Sequence, residues 1–250
     1  SLTLAPHERV FLVCSTEQSA VDGQPPDWKQ AEIERVTKLV PENTTDTFLR
    51  DLLVSVDQVL VRRKSEGNTI IAGYHWFTDW GRDTMIAMRG LTIAQGKQEL
   101  SASIIRTFLE HLDGGMIPNR FPDQGETPEY NTIDATLWLF VVLLEYYEQF
   151  DNLNLIETVF PKLQEIIEAH LKGTRYNIHV TEEGLLYGGE DLSQLTWMDA
   201  KVGDFVVTPR HGCPVEINAL WYNALEIYNL FHSKFNSGES PYESLAEKVK

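Results

Sequence analysis

Tyr74-His75-Trp76-Phe77-Thr78-Asp79-Trp80-Gly81-Arg82-Asp83 packs four aromatic side chains, two carboxylates, an arginine and a histidine into ten consecutive residues. Aromatic faces can stack on the C–H face of a pyranose, while carboxylate and guanidinium groups take hydroxyls in paired hydrogen bonds. That combination can build a sugar site. It can equally be an aromatic plug sealing a loop against the core, with Arg82 and Asp83 as ordinary residues of a helix start, where an acid is favoured anyway. Residue types alone leave both readings open.

Leu195-Thr196-Trp197-Met198-Asp199-Ala200 lies in an irregular stretch from Gly188 to Pro214, long for a compact domain and therefore suspected of function. A carboxylate held against Trp197 and Met198 is expected to retain its proton near neutrality, as a general acid must; the plain alternative is a surface aspartate capping a turn. In Tyr130-Asn131-Thr132-Ile133-Asp134-Ala135-Thr136-Leu137-Trp138, Asp134 and Trp138 are four apart and share one face of a helix start. An aspartate on so apolar a helix needs solvent or a partner, so it either faces a cavity or caps the helix. Glu216, in Pro214-Val215-Glu216-Ile217-Asn218-Ala219-Leu220-Trp221, is an acid at another helix start. Gly115-Met116-Ile117-Pro118-Asn119-Arg120-Phe121 is a further loop segment singled out with it. There is no phosphate loop, serine elbow or paired Cys-x-x-Cys, and the histidines show no metal-ligand spacing, so no cofactor or metal is expected.

The elements that must hold these residues are helical. Phe48, Leu49, Leu52, Leu53, Val56, Val59 and Leu60 recur at helical spacing from Thr44 onward. A second helix is predicted from near Arg82 to before Gly96, and a third over Leu100 to Leu112, stopped by Gly114-Gly115. A largely buried fourth runs from about Thr132 to Phe150, and a fifth over Asn154 to Lys172, where Pro161 is expected to split a short turn from a longer helix. The sixth opens at Pro214, and Ser240-Pro241-Tyr242-Glu243 starts another with a capping serine and a glutamate three residues on. Upstream, Arg9 to Ser15 reads as a short strand and Val21 to Asp27 as loop. Residues 1–43 are thus taken as a linker or strand segment from a preceding domain and 44–250 as the helical domain.

Composition narrows the partners. A net charge of −16 repels phosphate backbones and anionic headgroups, which disfavours nucleic acid and membrane surfaces. Cys14 and Cys213 are too few for a disulfide scaffold and are read as reduced; with no signal-like apolar segment at the N-terminus, a cytoplasmic setting is expected. Oligomeric state is not readable from the sequence.

Taken in order along the chain, Trp80-Gly81-Arg82-Asp83-Thr84, the Gly115–Phe121 and Tyr130–Trp138 segments, Trp197-Met198-Asp199-Ala200 and Glu216-Ile217-Asn218-Ala219-Leu220-Trp221-Tyr222-Asn223-Ala224-Leu225 resemble the glucosidase domain of the glycogen debranching (amylo-α-1,6-glucosidase) family. The resemblance implies an all-α fold, the (α/α)6 barrel or six-hairpin toroid, of which this chain would hold the first half, preceded by the short N-terminal β segment. It implies an inverting glycosidase that releases glucose from the α-1,6 branch points of glycogen or limit dextrin. Asp199 would be its catalytic acid, and Arg82 with Asp83 would grip the terminal glucose. Trp80, Asp134, Trp138, Trp197 and Glu216 would be further substrate contacts, and the catalytic base is expected beyond Lys250. Rival readings are a glucoamylase-like or trehalase-like α-glucosidase and a non-catalytic sugar-binding helical domain.

Overall fold

The structure, a computed structural model, describes residues 3–8, 10, 25–63, 67–121 and 127–250. The strand expected over Arg9 to Ser15 lies outside the described residues. The chain divides into two compact units, Ser1–Gln58 and Val59–Lys250.

In the first unit, α1 (Pro25–Thr37) begins inside the stretch read as loop. Proline is tolerated in the first helical turn, where its missing N–H would have had no partner, and Asp27 complements the positive end of the helix dipole. The rest of α1 is held by local pairs such as Gln30–Glu34 and Arg35–Glu32, so its polarity did not prevent a helix. α2 (Thr47–Val59) follows, its first turn capped by Asp46, whose carboxylate accepts from the N–H of Phe48 at 2.8 Å. Arg35 reaches across to Asp57 at 2.6 Å.

The second unit is mostly helical. It opens with an antiparallel hairpin, β1 (Leu60–Arg63) and β2 (Gly67–Ile70), in the register Leu60↔Ile70 and Arg63↔Gly67. Six helices follow: α3 (Gly81–Met88), which runs on into a π turn at Arg89–Ile93, α4 (Gln98–Glu110), α5 (Asp134–Phe150), α6 (Leu153–Lys172), α7 (Val215–Phe235) and α8 (Glu243–Val249). Between α6 and α7 lie two small hairpins, β3 (His179–Val180) with β4 (Leu186–Tyr187) and β5 (Lys201–Val202) with β6 (Phe205–Val206). Among the described residues the strands are short and confined to hairpins, so the mostly-α expectation holds.

α5 is the centre of the unit. Leu137, Leu139, Phe140, Val142 and Leu143 are fully buried around much of its circumference, and it packs against α3, α4, α6 and α7. α3, α5 and α7 lie side by side in that order, and α4 and α6 cover them from the flank. The three side-by-side helices each begin with a polar motif: Gly81-Arg82-Asp83, Asp134 and Glu216.

Two further expectations are corrected. α6 is a single helix through Pro161, which leaves the carbonyl of Glu157 without its N–H partner; Glu157 faces solvent, where water can take that bond, so the proline does not break the helix. The last helix begins at Glu243, two residues later than proline at its first position would require. Ser240 still receives the glutamate's half of the capping box, its N–H donating to Glu243 Oε1 at 3.3 Å.

Candidate active site

Three segments meet at the N-terminal ends of α3 and α5. The first is set by Gly81. Its N–H donates to the Asn119 carbonyl at 2.7 Å, and a Cβ at this position would stand 2.2 Å from the Pro118 carbonyl oxygen. Only glycine permits that approach. A bridge between Trp80 and Arg120 continues the contact, so the loop after Gly115 lies across the start of α3. Further along, the Ile117 N–H donates to Thr136 Oγ1 at 3.1 Å, which fixes the same loop to α5.

The second segment is residues 132–134 at the start of α5, and the third is the long stretch before α7, pinched at its base by Gly188 and Gly212. Each donates its N–H to the other's carbonyl, at 2.9 and 3.0 Å. Inside the pinch, Leu195 and Thr196 are buried, and the Leu195 carbonyl accepts from Ile133 N–H at 2.9 Å. From Trp197 onward the loop emerges into solvent. Trp197 is 58% exposed, so it does not form the dry wall expected beside Asp199.

Arg82 joins the three. Its guanidinium is buried, and every nitrogen is committed to the protein. Nε donates to both carboxylate oxygens of Asp134 at 2.9 and 2.8 Å, and Nη1 to Asp199 at 3.0 Å. Nη2 reaches Thr132 Oγ1 at 3.3 Å and the Leu195 carbonyl at 3.4 Å. Burial works against its charge, but the carboxylates of Asp134 and then Asp199 outweigh burial and hold it cationic. A buried cation without such partners would cost several kcal/mol, on the order of 3–5 when one member of a buried pair is removed.

Beside this node opens a cavity of about 700 Å³. Trp80, Arg82, Asp83, Trp197 and Asp199 line it, as the sequence reading grouped them. Asp83 stands at the wall with solvent access, yet the protein around it displaces enough water to push its carboxyl above the ordinary value. Backbone hydrogen bonding and Arg82 oppose that shift, and Asp199 and Asp134 add to it. Asp199 has 45% of its side chain exposed, open to a ligand while tethered to Arg82. Phe77 packs edge-on to Trp80 at 6.3 Å, so two aromatic rings form one side of the cavity.

The remaining predicted residues are elsewhere. Asp134 is buried behind Arg82 and does not line the cavity. Both its oxygens are occupied, Oδ1 also accepting from the Thr132 hydroxyl at 2.6 Å, which answers the question of its partner. Trp138 lies under Arg89, whose guanidinium is 5.5 Å from its ring and pairs with Glu145. Glu216 is clasped by Arg210 at 2.5 and 2.8 Å. Burial raises the proton affinity of Glu216, but the Arg210 hydrogen bond and the local backbone outweigh it and hold the carboxyl below the usual range. In the same motif Asn218 and Trp221 are structural. The Asn218 amide bonds Leu186 N–H and carbonyl at 2.7 and 3.1 Å, and Trp221 Nε1 donates to the Gly184 carbonyl at 3.2 Å, pinning the β3–β4 hairpin to α7.

Asp79, the other carboxylate of the aromatic segment, is buried and held by Arg63 at 2.5 Å and Thr69 at 3.0 Å, which ties the β1–β2 hairpin to this loop. Residue types missed the lining residues Ala72, Tyr176, Leu192, Ser193, Gln194 and Lys201, which come from irregular stretches or, for Lys201, a two-residue strand, with no periodic pattern. Tyr176 at least has a conformational mark, a left-handed backbone at φ 58°. No group of three or more metal-ligating side chains occurs among the described residues. No helix among them is long and apolar enough to cross a membrane.

The profile of the amylo-alpha-1,6-glucosidase family matches residues 54–250. A glycogen debranching enzyme of Saccharomyces cerevisiae is 28% identical over 221 aligned residues, covering 64% of this chain and 14% of that protein. The chain therefore spans about one seventh of the length of the curated relative it matches.

Proposed function

The chain belongs to the amylo-alpha-1,6-glucosidase family, and we propose that it is a glycosidase releasing glucose from the α-1,6 branch points of glycogen-like α-glucans by acid/base hydrolysis with inversion. The observation that carries this reading is the Arg82 node, which gathers residues 80–83, 132–134 and 195–199 beside one cavity bearing two carboxylates and aromatic faces. A neutral sugar fits such a wall: rings stack on its apolar face and carboxylates take its hydroxyls.

In this mechanism Asp199 protonates the glycosidic oxygen as the bond to the departing chain breaks. A carboxylate on the opposite face, roughly 6.5–9.5 Å from the acid, takes a proton from water as the water attacks the anomeric carbon. Asp83 and Trp80 bind the terminal glucose, and Trp197 stacks on the sugar. The matching architecture is the (α/α)6 barrel, with α3, α5 and α7 as successive inner staves and α4, α6 and α8 as their outer cover. The side-by-side order of the first three supports that assignment. The cytoplasm is the proposed setting, with the unbridged thiol of Cys213 compatible with it.

Incubating the intact protein with branched limit dextrin, linear maltooligosaccharide and trehalose tests the reading. Glucose released from dextrin alone, first as the β-anomer by NMR, supports it. Release of the α-anomer would overturn inversion, and a preference for trehalose would overturn the substrate.

One observation favours a second assignment on the same site. Asp83 lines the cavity, and burial raises the proton affinity of its carboxyl. A raised carboxyl suits a proton donor, which would exchange the roles of Asp83 and Asp199.

A further inference from the structure

We infer that Asp134 and Thr132 are positioning residues, which hold Arg82 in a single rotamer so that its Nη1 fixes the Asp199 carboxylate at the cavity. The inference rests on Asp199 being the proton donor of the reaction proposed above. It departs from the resemblance, which makes Asp134 a substrate contact.

The geometry leaves Asp134 nothing to offer a sugar. Its side chain is 4% exposed, and its oxygens are taken by Arg82 Nε and the Thr132 hydroxyl. Thr132 is fully buried and also stands off the cavity. Its single proton goes to Asp134 Oδ1 at 2.6 Å, which turns its lone pairs toward Arg82 Nη2 at 3.3 Å and Ala135 N–H at 3.4 Å. The threonine thus ties the carboxylate that orients one edge of the guanidinium to the acceptor that orients the other. With Nε and Nη2 both anchored on the α5 side, Nη1 has one direction left, and Asp199 lies along it at 3.0 Å.

The arrangement explains why an exposed loop can carry a reacting group. Asp199 sits four residues beyond Leu195, the last point where the loop backbone bonds α5, and much of its side chain is in solvent. The guanidinium supplies the rigidity that the loop lacks. A displacement of about 1 Å at a reacting group can cost on the order of a hundredfold in rate. Two side chains remote from substrate therefore govern the chemical step without governing binding.

The test is steady-state kinetics of the intact protein on branched limit dextrin for Thr132→Val, Thr132→Ser and Asp134→Asn. Valine keeps the volume of threonine and removes the hydroxyl; serine keeps the hydroxyl. The expected result is a fall of about tenfold in kcat for Thr132→Val with KM within twofold, the effect of losing one hydrogen bond to a charged group. Recovery to within twofold of the parent is expected for Thr132→Ser, and a larger kcat loss for Asp134→Asn. Should Asp134→Asn fail to fold, the threonine pair still decides. A raised KM with kcat intact would make these residues substrate contacts and overturn the inference. So would an unchanged kcat in Thr132→Val, or a serine variant as impaired as the valine one. If the parent protein releases no glucose from dextrin, the proposed function fails and this inference falls with it; if the parent is active and Thr132→Val matches it, only the inference fails.

Discussion

Replacing Asp199 by asparagine separates proton donation from everything else this residue does. Asparagine keeps the shape and an oxygen that can accept from Arg82 Nη1, now 3.0 Å from the carboxylate, and it removes the proton that the leaving group needs. Arg82 retains Asp134, Thr132 and the Leu195 carbonyl, and 45% of the Asp199 side chain is already in solvent. The stability change should therefore stay within about 1 kcal/mol, readable as an almost unmoved urea midpoint. Positioned acids contribute roughly 10²- to 10⁴-fold, so kcat on branched dextrin should fall by that factor, about 3–5 kcal/mol of barrier. α-Glucosyl fluoride provides the control because fluoride departs without being protonated. On that substrate the variant should stay within about tenfold of the parent. Asp83→Asn, which removes a binding group, should impair both substrates alike. Equal losses on dextrin and fluoride for Asp199→Asn would refute the donor assignment. A fluoride-sparing defect that appears in Asp83→Asn instead would transfer the role to Asp83.

Gly81→Ala should cost about 1–3 kcal/mol of unfolding free energy, because its Cβ would meet the Pro118 carbonyl oxygen at 2.2 Å; a melting temperature equal to the parent's would contradict this packing. Trp197→Ala, at a ring already 58% exposed, should leave the melt unchanged and raise KM for dextrin about fivefold, the loss of roughly 1 kcal/mol of stacking. Buried His170, stacked on Trp221, has its proton affinity lowered by burial, so the folded protein binds fewer protons than the unfolded chain below the ordinary value of 6.5. Its share of stability is intact above pH 6.5 and declines below it by at most about 1.4 kcal/mol per pH unit, which His170→Gln should remove from urea titrations at pH 8 and 5.5. Glu216→Gln should leave kcat and KM within twofold, since Glu216 is held by Arg210 and does not line the cavity; a large KM increase would restore it as a substrate contact.

Helices were legible where burial writes a period into the chain. α5 buries much of its circumference and α7 a continuous apolar face, so their apolar residues marked them plainly. α1 had no such signature because most of its surface is exposed and its support comes from pairs within its own turns, while Pro25-Pro26 imitated a loop. Pro161 misled for the reverse reason: the rule that proline breaks helices assumes the orphaned carbonyl is sealed in the core, and here it belongs to Glu157, an exposed residue. At the cavity, Trp80, Arg82, Asp83, Trp197 and Asp199 came together as their clustering suggested, because motif-dense loops at helix starts tend to share one end of a helical layer. Trp138 did not join them, since an i, i+4 relation with Asp134 fixes only a shared face, and that face turns toward Arg89 one turn further on.

The division of labour among carboxylates was the part that spacing could not express. Asp79, Asp83, Asp134, Asp199 and Glu216 are chemically alike, and four of them pair with arginine in the structure. What separates them is which of their oxygens remain uncommitted and whether a cavity adjoins them. Asp134 is buried with both oxygens bonded within the protein, and buried Asp79 takes Arg63 and Thr69 on Oδ2, so both act as fastenings. Asp199 shares one oxygen with Arg82 and keeps the rest of its carboxylate toward the cavity. Arg82 is what makes the difference possible: it takes the full charge of a buried aspartate on one edge and only part of an exposed one on the other. Substituting Lys for Arg82 should consequently fail, because a single ammonium cannot face Asp134, Thr132, Leu195 and Asp199 from the four directions that the planar guanidinium spans.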